Sequence, residues 1–299
     1  MVTRRRPYEY GIDALRYLIM VIFALTTLLP FINLIAKSFS GEGPVIAGQV
    51  SFWPLQPTLQ TYRYVLKGNA FFNALGVSVI ITFIGSLGSV IITAMAAYPL
   101  SRSGLRGRRG LLYLWVFIWL FNGGMVPNYM LIRSLGIMDS LPALILPHLV
   151  SVYNMFLIKN YFESLPDSLE EAARIDGASN LRVLFQIILP VSLPMLATIT
   201  LFYAVAYWND YFTARMYITT PANRPMQLYL FDLINNALQI MNQGAGGDTG
   251  AINADDIMNL TAESVRAAAI TLSTIPILMV YPFLQKYFVT GIVVGSVKG

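Results

Sequence analysis

Hydrophobic and polar residues fall along this chain in long blocks. Six blocks are almost wholly apolar and cover residues 15–36, 71–100, 111–132, 141–158, 187–209 and 267–285. Apart from Arg16, at the edge of the first, none contains Lys, Arg, Asp or Glu. Each is about long enough to cross a hydrocarbon core of roughly 30 Å. In lipid every backbone N–H and C=O must be paired, so each block is predicted to be a helix. The first follows Arg4, Arg5 and Arg6. It is too long for a secretory signal and has no clear small-residue cleavage site, so it is expected to be retained.

Composition agrees with this pattern. The 299 residues are 56% hydrophobic and 12% charged, with a mean hydropathy of +0.60, which excludes an ordinary soluble domain. Cysteine is absent, so disulfides, thiolate metal sites, iron–sulfur clusters and cysteine nucleophiles are excluded. The net charge is +5, and its placement carries more information than its size. With the N-terminus inside, the inner segments 1–16, 101–110, 159–186 and 286–299 hold 13 of the 20 Lys and Arg residues, in about two-fifths of the non-membrane chain. The positive-inside rule then puts both termini in the cytoplasm. Arg102, Arg106, Arg108 and Arg109 crowd one inner turn, where they suit a topology lock with lipid-headgroup contact or a protein interface.

The outer connections are long. Residues 37–70 contain Trp53, Pro54, Pro57 and Tyr62, a mixture suited to a short interfacial structure. The outer loop 210–266 has a Gly-rich tip at Gly244, Gly246, Gly247 and Gly250 between predicted helices 226–241 and 253–266. It reads either as a finger that probes a partner or as a tolerated surface insertion.

The inner loop 163–189 looks folded. Pro166 suits the first turn of a helix, and Asp167, Glu170 and Glu171 favour its positive end. Gly177 breaks that helix. Ser179 can cap a second piece in which Leu181, Leu184, Phe185 and Ile188 recur at three- and four-residue spacing. Two short helices at a sharp corner are expected, with Ala172 and Ala173 allowing close approach of another surface.

These residues carry a resemblance. Glu171-Ala172-Ala173, Gly177, Ile187 and Leu189-Pro190 are similar, at every fixed position and spacing, to the EAA motif of permease subunits of binding-protein-dependent ABC importers. The resemblance implies an all-α type I importer permease fold, a single domain over 1–299, in the bacterial cytoplasmic (inner) membrane. It further implies that Glu171, Ala172, Ala173, Asp176, Gly177, Leu189 and Pro190 form a coupling element that docks on an ATPase subunit, with Glu171 as the polar anchor and Gly177 as the corner. The implied partners are a second homologous permease in a heterodimer, two ATP-binding cassette subunits, an extracytoplasmic solute-binding protein, membrane lipid and an oligosaccharide, with no nucleic acid. ATP and Mg would be bound by the ATPase partners, and no cofactor by this chain.

Finer features resemble the carbohydrate branch. Arg174-Ile175-Asp176-Gly177-Ala178-Ser179, the pair Pro190 and Pro194, and Trp208-Asn209-Asp210-Tyr211 are similar to sugar permeases. The tail with Gly295, Lys298 and Gly299 resembles MalG-like permeases, which implies contact with the ATPase. Asn122-Gly123-Gly124-Met125-Val126-Pro127 and the following run resemble importers of larger oligosaccharides, including pectin and alginate fragments.

No catalytic constellation is present, and no phosphate-binding G-x-x-x-x-G-K-[ST] loop occurs, so the chain is not expected to be an enzyme. His148 is the single histidine and is expected to hydrogen-bond within the packing. Asp210 either pairs with Arg215 or faces water. Gly85, Gly88 and Ser89 are expected to permit close helix packing. Neutral polar and aromatic groups suit a sugar path, and Asn122, Asn154, Tyr203, Tyr207, Trp208 and Asn209 are the candidates. An ion-coupled secondary transporter would carry acids within its spans, and these hold only His148. A permease for a non-sugar solute stays open within the family.

Overall fold

The computed structural model describes residues 7–67, 69–121, 123–243 and 261–296 and is helical, with no strand among them. The chain packs as two units, Met1–Gly68 with Leu230–Ile275, and Asn69–Tyr229 with Pro276–Gly299.

In the first unit, α1 (Pro7–Ser38) includes an apolar run, Gly11–Ser38, of 28 residues. At 1.5 Å per residue this is about 42 Å, ample for a hydrocarbon core. Thr26 and Thr27 return their hydroxyl hydrogen bonds to Ile22 O and Phe23 O at 2.8 and 2.9 Å, so neither presents an open polar group to lipid. The following segment holds two short helices, α2 (Glu42–Ile46) and α3 (Gln60–Val65). Its compactness comes from Ala36, Val45 and Val50, which cluster together, and from Asn33 Nδ2, which donates to Val50 O and Ser51 O at 3.1 and 2.6 Å. Trp53 stays exposed, as the interfacial reading of 37–70 anticipates.

The second unit is built on α4 (Ala70–Ser101), an unbroken helix of 32 residues. After it come α5 (Arg108–Leu120), α6 (Met125–Ser134), α7 (Leu141–Ile145), a 3-10 turn over Leu146–His148, α8 (Val152–Glu163), α9 (Ser168–Ile175) and α10 (Asn180–Val183). A π-helical turn Leu184–Ile188 leads through α11 (Leu189–Val191) into α12 (Leu193–Asn209), and α13 (Phe212–Tyr217) follows. The helices α14 (Met226–Gln243) and α15 (Ala262–Ser296) extend into both units.

Three predicted spans are continuous helices among the described residues, and three are broken. The block 111–132 divides into α5 and α6, bent by 108°. The 13 residues of α5 reach only about 20 Å. Gly124 at φ +89 and Pro127 in the next turn account for the break. The block 141–158 bends by 52° after His148, where a 3-10 turn begun around Pro147 sends Leu149 N to Leu146 O at 3.3 Å and leaves Ile145 O out of the ladder. The block 187–209 bends by 86° at Ser192, so 187–191 lies along the preceding segment and a new helix direction begins at Leu193. The second helix predicted for the outer loop is not separate at 262–266, where those residues open α15, and 253–260 lie outside the described residues.

Side chains from α4 and α12 repair the break in the fourth block. Its freed Ile145 O accepts from Tyr207 OH at 3.1 Å, and Ser151 N donates to Tyr203 OH at 2.9 Å. Both tyrosine hydroxyls reach α4 as well, Tyr207 pairing with Ser89 at 2.9 Å and Tyr203 with Thr93 at 2.7 Å. Gly85 lets the Tyr207 ring lie against the α4 backbone, since a Cβ there would sit 2.7–2.9 Å from ring carbons. Below this polar layer Ala94, Ala97, Met155, Ile158, Phe162 and Ile199 close the core.

At the other end of the unit, Asp139 (φ +57) clasps the segment after α13. Its Oδ1 accepts from Thr219 N and Thr220 N at 3.0 and 2.9 Å, its Oδ2 from the Thr220 hydroxyl, and Asn223 Nδ2 donates to its carbonyl at 2.7 Å. The Thr220 hydroxyl, followed by the two backbone N–H groups, holds its carboxyl down at about 2.

Two predictions follow from these contacts. Gly85→Val should overpack against Tyr207 at a cost of about 1–3 kcal/mol, and should lower the melting midpoint in detergent more than Ser89→Ala, which removes one interhelical hydrogen bond of about 0.6 kcal/mol. Asp139→Ala should release residues 217–223, read as several-fold faster proteolysis there at neutral pH. Because the folded carboxyl lies below its ordinary value, wild-type protection should be complete above the usual carboxylate range and fade only as pH falls towards about 2.

Candidate functional site

The loop 163–189 forms a knob whose shape follows from its caps. The N-cap of α9 is Asp167, two residues later than a start at Pro166 would give, so Pro166 precedes the helix and its carbonyl accepts from Leu169 N at 3.3 Å. At the far end Gly177 adopts φ +75. Its N–H donates to Arg174 O at 3.1 Å while Ala178 N–H donates to Ala173 O at 2.9 Å. This pair of bonds is the Schellman arrangement, which requires a left-handed residue at the position Gly177 fills. Ser179 then caps α10, its Oγ accepting from Arg182 N at 3.4 Å. The corner is thus set by backbone hydrogen bonds and one glycine.

Opposite faces of α9 differ in character. Glu171, Ala172, Ile175, Asp176 and Gly177 are exposed, and Ile175 retains 86% of its accessible surface. Glu170 and Ala173, one helical turn apart, are buried on the protein side. Leu189 is half-buried and Pro190 exposed. The amphipathic spacing expected over 181–188 holds only in part. Leu184 and Ile188 are buried, whereas Leu181 and Phe185 are exposed. Residues four apart share a face, Leu184 with Ile188 inside and Leu181 with Phe185 outside, while the three-residue pairs Leu181 with Leu184 and Phe185 with Ile188 fall on opposite sides. The exposed side of the knob therefore carries Ile175, Leu181 and Phe185 beside Glu171 and Asp176. That mixture of apolar and acidic groups suits a protein surface.

Two of the four clustered arginines are tied to this loop. Arg102, which caps the end of α4, pairs with Glu170 and lies 3.9 Å from Asp167, with its guanidinium carbon 5.2 Å from the Tyr98 ring centroid. Arg108 pairs with Glu163 and donates through Nε to Leu100 O at 2.7 Å; Lys159 reaches the same carboxylate at 2.8 Å. Arg106 and Arg109 are exposed. An open cleft of about 960 Å³ lies between the end of α4, the arginine turn and the knob. Glu170 and its arginine were missed by motif reading, although the buried-face spacing of Glu170 and Ala173 carried the signal.

The path candidates occupy different environments. Tyr203, Tyr207 and Trp208 are buried, as is Asn154, and the two tyrosines hold the break described above. Asn209 is exposed, with its Nδ2 donating to Val205 O at 3.0 Å. Asn122 lies outside the described residues, as do Lys298, Gly299 and the Gly-rich tip from Gly244 to Gly250; Gly295 belongs to α15. His148 and Asp210 meet, which neither residue's sequence neighbours indicate. His148 Nε2 is 3.0 Å from both Asp210 Oδ2 and Thr213 Oγ1, and Asp210 Oδ1 accepts from Thr213 N at 3.1 Å.

Comparison with known proteins fits this geometry. Residues 4–294 match the family described as binding-protein-dependent transport system inner membrane component. The chain is 42% identical over 287 residues to the polygalacturonan/rhamnogalacturonan transport system permease protein YtcP of Bacillus subtilis (strain 168), covering 96% of this chain and 98% of that one. It is 32% identical to the trehalose/maltose transport system permease protein MalG of Thermococcus litoralis, over 93% and 94% of the two chains. Among solved structures it superposes with a TM-score of 0.83 and 32% identity, over 96% of this chain and 100% of the other, on a chain from the crystal structure of a bacterial ABC transporter involved in the import of the acidic polysaccharide alginate. The all-α permease fold and the importer family expected from the EAA-type loop are therefore borne out, and the chain belongs to the binding-protein-dependent transport system inner membrane components, as a non-catalytic, multi-pass permease subunit of an ABC importer whose ATP is bound by partner subunits.

Proposed function

We propose that this chain is the permease through which oligosaccharides derived from acidic polysaccharides, of the pectin or alginate type, enter the cytoplasm by alternating access. The substrate class is supported by the names of the relatives at 42% and 32% identity. The observation that carries the coupling reading is the knob. Its exposed face presents Glu171, Ala172, Ile175 and Asp176 on a helix whose angle is fixed by Gly177. Such a surface suits docking on an ATP-binding cassette subunit, with Leu189 and Pro190 leading from the knob into α12.

The complete machine would comprise this chain, a second homologous permease, two ATPase subunits and a solute-binding protein on the outer side, with residues 1–299 acting as one permease domain and both termini cytoplasmic. ATP-driven closure of the ATPase pair would move the knobs and switch the cavity between the permeases. In that cavity Asn209 offers an exposed amide, while Tyr203, Tyr207, Trp208 and Asn154 support the wall from behind. Asn122 would contribute beside the glycine break between α5 and α6, and the tail with Gly295, Lys298 and Gly299 would reach towards the ATPases.

The test uses the full complex in proteoliposomes. Glu171→Lys reverses charge on the docking face, and Gly177→Leu forces a side chain into the left-handed region at about 1–2 kcal/mol. No atom lies within 4 Å of a Cβ at Gly177, so the effect would be on the corner's angle and not on packing. Both variants should insert normally yet lose at least tenfold of the ATP hydrolysis stimulated by loaded binding protein. Unchanged stimulation would reject the docking assignment. For the cargo, oligogalacturonate or oligoalginate should stimulate hydrolysis at least tenfold more than maltotriose does, and equal stimulation would reject the acidic class.

A further inference from the structure

The docking face explains why the knob protrudes but not how its movement reaches the spans. The answer lies on the opposite side of α9. Glu170 is directed away from the exposed face and is 6% accessible, in a position where an uncompensated carboxylate would be strongly unfavourable. Its close cation comes from outside the loop, Arg102, while Arg174 of α9 itself, 55% exposed, stands farther off at 3.9 Å from the other carboxylate oxygen. Arg102 caps α4 and is itself only 19% exposed at its side chain. The guanidinium is confined by the face of Tyr98, whose ring in turn makes an edge contact with Phe162 of α8 at 6.4 Å between centroids. Asp167, the N-cap of α9, adds a weaker second contact at 3.9 Å, and its 89% exposure leaves it well screened. Of the other ion pairs of this region among the described residues, Arg108 and Lys159 with Glu163 join α5 and α8 without reaching α9, and Arg174 with Glu170 is internal to α9.

Besides its connecting peptides and the burial of Ala173 in the core, α9 is thus tied to the bundle by a charge pair to one particular helix. That helix is a single long one. From Arg102 α4 runs through Pro99, without a bend into separate helices, to Thr93, Ser89 and Gly85, where it holds Tyr203 and Tyr207 at the break of the fourth block. We infer that the Arg102–Glu170 pair is the joint through which displacement of the knob is handed to α4, and through α4 to the tyrosine-bridged break. Arg102 and Glu170 are positioning residues in this scheme and touch neither ATP nor cargo. The inference rests on the docking role proposed for the outer face of α9, but concerns a different face and a different step.

The experiment separates docking from transmission. In the complete transporter, Glu170→Gln, Arg102→Gln and the double reversal Glu170→Arg with Arg102→Glu are compared by three readouts: ATPase subunits co-purified, ATP hydrolysed, and substrate imported per ATP. Both single variants should keep their ATPase subunits and hydrolyse ATP, while import per ATP falls at least tenfold. The double reversal should restore it to within about threefold. Import per ATP within twofold of wild type in the single variants, no recovery in the double reversal, or loss of the ATPase subunits would each overturn the joint. Failure of the docking proposal shows elsewhere, as unchanged stimulation in Glu171→Lys.

A second measurement does not depend on the variants folding. The chain has no cysteine, so Gly104→Cys beside the end of α4 and Ser168→Cys at the start of α9 place two spin labels uniquely. The distance between them should stay constant between nucleotide-free and ATP-bound transporter if α9 and α4 move as one. A change of several ångströms would show that the knob slides past α4 and would overturn the inference.

Discussion

Everything in the second unit depends on one constraint: within a hydrocarbon layer each backbone N–H and C=O needs a partner. The ladder of the fourth block breaks after His148, where Leu149 N turns to Leu146 O, and side chains take up the groups left over. Tyr207 donates to Ile145 O, and Tyr203 accepts from Ser151 N, while Ser89 and Thr93 on α4 hold the same two hydroxyls. The break is consequently not a weak point but the place where α4, the fourth block and α12 are fastened together. Gly85 belongs to the same arrangement because it allows Tyr207 to approach closely enough to make its bonds.

The knob at the other end of α4 solves a different problem. It exposes apolar and acidic groups, Ile175, Leu181 and Phe185 with Glu171 and Asp176, and must still hold its angle. Backbone capping at Gly177 and Ser179 supplies its angle without a core of its own. Burial of Glu170 against Arg102 supplies its attachment. Buried ion pairs contribute modestly to net stability because desolvation offsets attraction, but separating the partners is costly. A joint of that kind resists being pulled apart while adding little to stability, which suits a part that transmits displacement.

Much of this was legible in the residues alone. Apolar blocks gave six candidate crossings, three of them continuous helices and three bent pairs among the described residues, and the spacing from Glu171 to Pro190 gave the family, because helix length and cap chemistry are local properties. The corner at Gly177 was readable for the same reason: only glycine accepts its left-handed conformation without strain. Orientation was less readable. Leu181 and Phe185 were expected on the buried face, yet they are exposed while Leu184 and Ile188 are buried, because spacing shows which residues share a face and not which face the bundle covers. The third block read as one span, although Gly123 and Gly124 were visible in it, because hydropathy is insensitive to backbone direction.

What the sequence by itself determined is therefore the apolar blocks, the uneven spread of basic residues among the segments between them, the motif and its corner. Partnerships between distant side chains were decided only by tertiary structure. His148 with Asp210, Tyr207 with Ile145 O and Arg102 with Glu170 are separated by tens of residues, and no local pattern announces them. The physical reason is that a buried polar group selects its partner by proximity in the packed bundle, and proximity there is set by where proline and glycine break the helices and how the pieces turn.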